Sequence, residues 1–221
     1  MSNLGSNPKE LSHEPPIGGH IHYFLDIAPV SLQGSKRKKA HITNKIRSIT
    51  RQANYFLTGD IKVEVQWLVN ESVRYETTTS PDVDNVLKPI LDALSGPEGI
   101  IINDCQVQSV SCFWMGGWLT DDQEHVISIR FDPEAWIKKE GLIFVNVDGK
   151  LCWPISQMML KSNSLLQTLS HLETTIAWRN ALMKSTADEW AARQFLPIQR
   201  FFHKAHLKGF PVVDASSLRE R

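Results

Sequence analysis

Residues 80 to 107 constrain this chain more than any other stretch: Ser-Pro-Asp-Val-Asp-Asn-Val-Leu-Lys-Pro-Ile-Leu-Asp-Ala-Leu, a short Gly/Pro loop, then Ile-Ile-Ile-Asn-Asp-Cys-Gln-Val. Val83, Val86, Leu87, Ile90, Leu91 and Leu94 recur at the spacing of a core-facing helical stripe. That stripe fixes the opposite wall. At roughly 100° per residue, Asp84, Lys88 and Asp92 stand one above another on it, with Asn85 beside them. Ser-Gly-Pro-Glu-Gly ends the helix, Ile100 to Ile102 suit a buried strand, and the reversal lets Asp104 return towards Asp82 and Asp84.

Three carboxylates so gathered suit a hard divalent cation such as Mg²⁺, and Lys88 is then a fixed positive charge for a phosphate. The same residues have ordinary readings too. An Asp at a helix start caps free N–H groups, and an Asp–Lys pair at i, i+4 decorates many surfaces, so spacing alone leaves both readings open.

The residues also carry a resemblance. Pro-Asp-Val-Asp-Asn-Val-Leu-Lys, then Leu-Asp-Ala-Leu and Asn-Asp-Cys-Gln-Val, resemble in order and spacing the signature of the RusA family of Holliday-junction resolvases. The resemblance covers about residues 20 to 132. It implies that Asp82, Asp84 and Asp104 are Mg²⁺-binding catalytic acids, with Mn²⁺ as the alternative ion, and that Lys88 is an essential lysine. Asn85, Asp92 and Gln106 match supporting positions. One departure is visible: the first acid of the family's Asp-Asp pair is Asn103 here, while the second, the metal ligand, is present. The resemblance further implies branched DNA as partner and a homodimer matching the two-fold symmetry of a four-way junction.

The 24 basic and 24 acidic residues cancel, so any affinity for phosphate backbones must come from local clustering. One cluster qualifies. Lys36, Arg37, Lys38, Lys39, Lys45, Arg47 and Arg51 follow one another with no acid between Asp26 and Asp60. They are read as the electrostatic footprint of DNA. Arg74, with the threonines that follow it, is a further candidate phosphate contact in a loop expected over 71–80.

Around these sites the pattern predicts a small mixed-sheet α/β domain with helices packed on the sheet. Strands are expected at 20–27 and 61–70 and a helix at 37–57, while 106–115 and 125–131 are expected to pair as a hairpin. Glu64 is expected to face solvent from its strand, His20 and His22 to be surface histidines, and Asp121 and Asp122 to be turn residues. Residues 1–19 read as a flexible arm, 20–135 as the RusA-like domain, and 141–221 as a mainly helical extension. Within the extension Asp148-Gly149 signals a hairpin, and helices are expected at 156–184 and 186–206. Its role is open between a protein-partner or dimer surface and an added DNA clamp.

Cys105, Cys112 and Cys152 form no C-x-x-C pair, no run approaches a membrane span, and no secretory core opens the chain. A soluble, cytoplasmic protein with no membrane partner is expected. Two other functions compete with the resolvase reading. One is a non-catalytic module that binds branched DNA or a protein; the other is a nuclease acting on other DNA structures.

Overall fold

The computed structural model describes residues 13–28, 30–31, 33–78, 83–117, 124–162, 164–186, 188–194 and 199–219. Two compact units meet between Trp136 and Ile137. The chain is mixed α/β.

In the first unit, β1 (His20–Leu25) leads into α1 (Lys36–Thr50), β2 (Tyr55–Leu57) and β3 (Ile61–Asn70). Two helices follow, α2 (Glu71–Glu76) and α3 (Val83–Leu94), then β4 (Val107–Gly117) and β5 (His125–Phe131). The sheet order is β1-β5-β3-β4. β5 runs antiparallel to both its neighbours, whereas β3 and β4 are parallel. A parallel pair needs a long crossover, and α2 and α3 supply it.

Strict alternation along β3 sends Ile61, Val63 and Val65 to one face, where they meet Ile42 and Ile46 of α1 and Ile90, Ala93 and Leu94 of α3. Burying that stripe of α3 fixes which way its polar wall looks. Further along the sheet, Trp67 and Val69 pack with Val86, two residues beyond Asp84.

The structure corrects several local expectations. Strands 107–117 and 125–131 are not a hairpin, because β3, whose apolar face is buried along its whole length, lies between them. The first helix stops at Thr50 rather than 57, since Tyr55, Phe56 and Leu57 are all buried as a strand. Thr50 Oγ1 donates to the Glu98 carbonyl at 2.8 Å, and the Leu57 N–H to the Ile100 carbonyl at 2.9 Å. Ile100 to Ile102 do not form a strand; Ile101 alone makes isolated bridges, to Leu57 and Ser95. Residues 71–76 are helical where a loop was expected, because the Asn70 side chain accepts from the Ser72 N–H at 2.9 Å and caps them. The expected turn at Asp121 and Asp122 lies outside the described residues.

Fully buried His125 opens β5, with Nδ1 2.8 Å from the Ile27 carbonyl. Burial lowers its pKa, partly opposed by that hydrogen bond. A lowered folded-state pKa means that the unfolded chain binds the proton more readily. Stability from this site is therefore complete above about pH 6.5, the ordinary histidine value, and is lost as pH falls towards the folded pKa. Thermal melts should show midpoints dropping below that pH, with a shallower acid slope in His125→Gln than in wild type.

β6 (Trp136–Lys138) spans the boundary. In the second unit β7 (Leu142–Asn146) and β8 (Leu151–Ser156) form the hairpin expected at Asp148-Gly149, where Gly149 takes φ of 90°. Then come α4 (Ser164–Thr186), α5 (Glu189–Arg193), β9 (Phe202–His203), β10 (Val212–Asp214) and α6 (Ala215–Arg219). The sheet order is β10-β7-β8-β9. Ile143, Val145 and Ile155 of the sheet bury against Leu165 and Leu169 of α4 and Leu218 of α6. The extension is thus helical and also contains a four-stranded sheet. Of the helix expected over 186–206 the described residues form α5, while Phe202 is buried edge-on to Phe144 and joins the sheet instead. Among the described residues no helix is long and apolar enough to cross a membrane.

Candidate active site

The wall of α3 stands as its periodicity requires: Asp84, Lys88 and Asp92 are exposed, while Val86, Ile90 and Leu94 are buried on the other side. Lys88 Nζ lies 2.7 Å from Asp92 Oδ1 and 3.0 Å from Asp104 Oδ2. Asp104 therefore returns to the helix, and Lys88 is the residue that receives it. The hydrogen bonds to Asp92 and then Asp104 raise the Lys88 pKa, so the ammonium stays charged. Asp84 lies one helical turn further towards the start of α3, about 6 Å along its axis.

A buried amide fixes Asp104 in place. Gln106 Nε2 donates to the carbonyls of Leu57 at 2.8 Å and Gly59 at 3.0 Å, while its Oε1 accepts from the N–H groups of Ile102 and Asn103 at 2.8 and 3.1 Å. Asn103 in turn caps the short turn Asp104–Gln106, its side chain accepting from the Cys105 N–H. Asn103, where the motif departs from an acid, is thus a capping residue. Sequence reasoning gave Gln106 only a supporting role, and the four reciprocal bonds explain it.

Asp82 lies outside the described residues. Among those described, no three of His, Cys, Asp and Glu close on one point. Asp84 is exposed and Asp104 half-buried, and both are hard carboxylate oxygen donors, a chemistry that fits Mg²⁺ rather than a thiophilic ion. Glu64 accepts from Gln66 Nε2 at 2.9 Å within its own strand. His22 Nδ1 lies 2.9 Å from Ser128 Oγ, and His20 Nδ1 2.5 Å from the Gly18 carbonyl.

The basic segment divides. Lys45 pairs with Asp26 at 2.8 Å, Arg47 reaches Glu98 at 3.1 Å, and Arg51 bonds the same carboxylate. These three hold the loops around α1. Lys39 is also engaged. Lys36, Arg37 and Lys38 are exposed, and no ion pair involves them among the described residues. They occupy the first turn of α1, which has no acid. Three cations there oppose the helix dipole, a placement that stability does not favour. Arg74 packs its guanidinium over the rings of Tyr75 and Trp114.

The model of the endodeoxyribonuclease RusA family matches residues 15–130, which include every residue of this wall. The chain belongs to the RusA family. The match ends within β5, so the family's share of the chain is the first unit, while the second unit lies beyond it. Among curated proteins none matches the chain. Membership makes this a chain of an endodeoxyribonuclease family.

Proposed function

We propose that this RusA-family chain is a divalent-metal-dependent, structure-selective endodeoxyribonuclease that nicks Holliday junctions or related branched DNA. The observation that carries the reading is the return of Asp104 to the Asp84–Lys88–Asp92 wall through its bond to Lys88. Asp82, Asp84 and Asp104 would hold Mg²⁺, with Mn²⁺ as a substitute. When bound, the ion supplies Lewis-acid stabilisation of charge on a phosphate oxygen and activates water for attack.

The chain's own residues do the rest. Lys88, kept protonated by Asp92 and Asp104, presents a positive charge where a scissile phosphate gains negative charge. Asp92 and Asp104 hold its long side chain in place, so the charge is positioned before substrate arrives. Asn85 flanks the wall on the same helix, and Gln106 holds Asp104's turn against β2.

Lys36, Arg37 and Lys38 are the proposed grip on the DNA backbone, with Lys39 beside them. The triple variant with alanine at 36, 37 and 38 should bind junction and linear duplex more weakly alike. Its log affinity should vary with log salt less steeply, by about 3, if each cation displaces one counterion. Titrations at several salt concentrations read this directly; an unchanged slope would remove α1 from the DNA interface.

Symmetric incision of a four-way junction requires two sites about one axis, so the working form is proposed to be a C2 homodimer. The second unit is proposed as a partner-binding appendage, since it exposes Trp178 and Trp190 at 61 % and 74 % of their surfaces. The test of function is cleavage of labelled four-way, forked and linear DNA by the full chain, in Mg²⁺ and in EDTA. Metal-dependent nicks paired across the junction support the reading. Preference for forks moves the substrate, and tight binding without cutting makes the chain a binding module.

A further inference from the structure

Four side chains of the first unit form one run of facing π surfaces from core to solvent. Trp67 on β3 is 1 % exposed, and its register partner on β4, Trp114, stacks on it with ring centres 4.3 Å apart and planes 21° from parallel. The Arg74 guanidinium carbon lies 4.8 Å from the Trp114 ring centre and 4.9 Å from that of Tyr75. Tyr75 ends the run, 70 % exposed. Val73 and Trp114 pack on Trp67, Val69 and Val86, so the inner part of the run abuts the buried face of the first turn of α3.

The arrangement exceeds what folding asks of it. α2 is six residues long and buries none of them fully, so it gains little from its own helical bonds and is held through the stack and its Asn70 cap. Holding α2 would need only Val73 and Arg74. The outer tyrosine adds no burial to the core, yet it presents an aromatic face backed by a cation that cannot lose its charge. An aromatic ring accepts any base by stacking, and a guanidinium behind it suits the phosphate of the same nucleotide.

We propose that Tyr75 is a stacking seat for an unpaired nucleobase at the branch point, with Arg74 as its charged backing. This rests on the reading of the chain as a branched-DNA nuclease, and deepens it. A base inside a continuous duplex offers its faces only to its neighbours, whereas a branch point interrupts the stack. A seat that accepts an exposed base face therefore favours branched over linear DNA.

The test uses the full chain carrying Asp84→Asn, so that substrate stays intact, and a four-way junction with 2-aminopurine at the branch. Binding should change the fluorescence of the branch base. Adding Tyr75→Ala should abolish that change and weaken junction affinity about tenfold, leaving linear-duplex affinity unaltered; Tyr75→Phe should restore both. Tyr75→Leu, which keeps apolar bulk without a ring, should behave as alanine does and controls for loss of fold, with thermal melts alongside. An unchanged fluorescence response in Tyr75→Ala, or equal losses on junction and linear DNA, overturns the seat. Cleavage by wild type in Mg²⁺ and EDTA is read on the same junction. No metal-dependent nick with a Tyr75-dependent signal fails the nuclease reading alone; nicks without Tyr75 dependence fail the seat alone.

Discussion

Asp84→Asn should lose junction nicking by at least about a thousandfold, the rate equivalent of several kcal/mol of charge stabilisation at the phosphate. The side chain keeps its shape and gives up its charge, so an ion that needs anionic oxygens loses one of its proposed holders. Asp84 is exposed in the first turn of α3, where a carboxylate suits the helix dipole only modestly, so folding should be little affected. Binding should be equal to wild type or slightly tighter, since a negative charge has been removed next to a polyanion. Asp104→Asn should match it. Asp92→Asn separates two roles, because Asp92 touches Lys88 at 2.7 Å and is not a proposed ion holder; its loss should be smaller, about ten- to a hundredfold, as for residues that position others. Single-turnover nicking of a labelled junction, with affinity measured in parallel, checks all three. Wild-type nicking by Asp84→Asn in the purified protein would end the assignment.

The wall of α3 was legible because it depends on local periodicity. Once Val86, Ile90 and Leu94 are buried, Asp84, Lys88 and Asp92 have nowhere else to point. Asp104 was legible as a returning residue because Gly96 and Gly99 end the helix, but its docking point was not. That point is set by Gln106 bonding to β2, and β2 itself escaped notice because Ala53 and Phe56 fit a helical spacing as well as a strand. The β4–β5 hairpin failed for a related reason. Consecutive strands usually pair, and only the long-range burial of β3 on both edges reverses that prior.

Charge was the least legible. Seven basic residues uninterrupted by an acid read as one surface, yet Lys45, Arg47 and Arg51 are committed to Asp26 and Glu98, partners that spacing along a helix cannot reveal. Glu98 in particular serves twice, so the loop after α3 is tied to α1 by two arginines. What is exposed without an ion pair among the described residues is Lys36, Arg37 and Lys38, at the end of α1 where cations are least favoured by the backbone. Arg74 shows the same limit. A loop arginine suggests a phosphate contact, but a capping Asn70 makes the segment helical and lays the guanidinium between two rings.

Gln106→Ala should destabilise the first unit by about 4 kcal/mol, the larger of the expected stability effects. The side chain is buried and makes four hydrogen bonds, two donated by its amide and two accepted by its oxygen. Truncation leaves the Leu57 and Gly59 carbonyls and the Ile102 and Asn103 N–H groups without those partners, at about 1–3 kcal/mol for each that water cannot reach. In a chain of this length that corresponds to a midpoint lower by about 10 °C. Gln106→Glu tests the direction of the bonds. Its carboxylate still accepts from Ile102 and Asn103, but it faces two carbonyls with no proton to offer and should be nearly as unstable at neutral pH. Acidification should partly rescue the glutamate variant and not the alanine one, because a protonated carboxyl regains one donor. Because Asp104 sits two residues before Gln106 in the same turn, a folded fraction of either variant should also nick more slowly, although neither touches substrate. Thermal melts against pH, with nicking rates corrected for the folded fraction, distinguish this brace from a residue in contact with DNA, whose loss would leave the midpoint where it was.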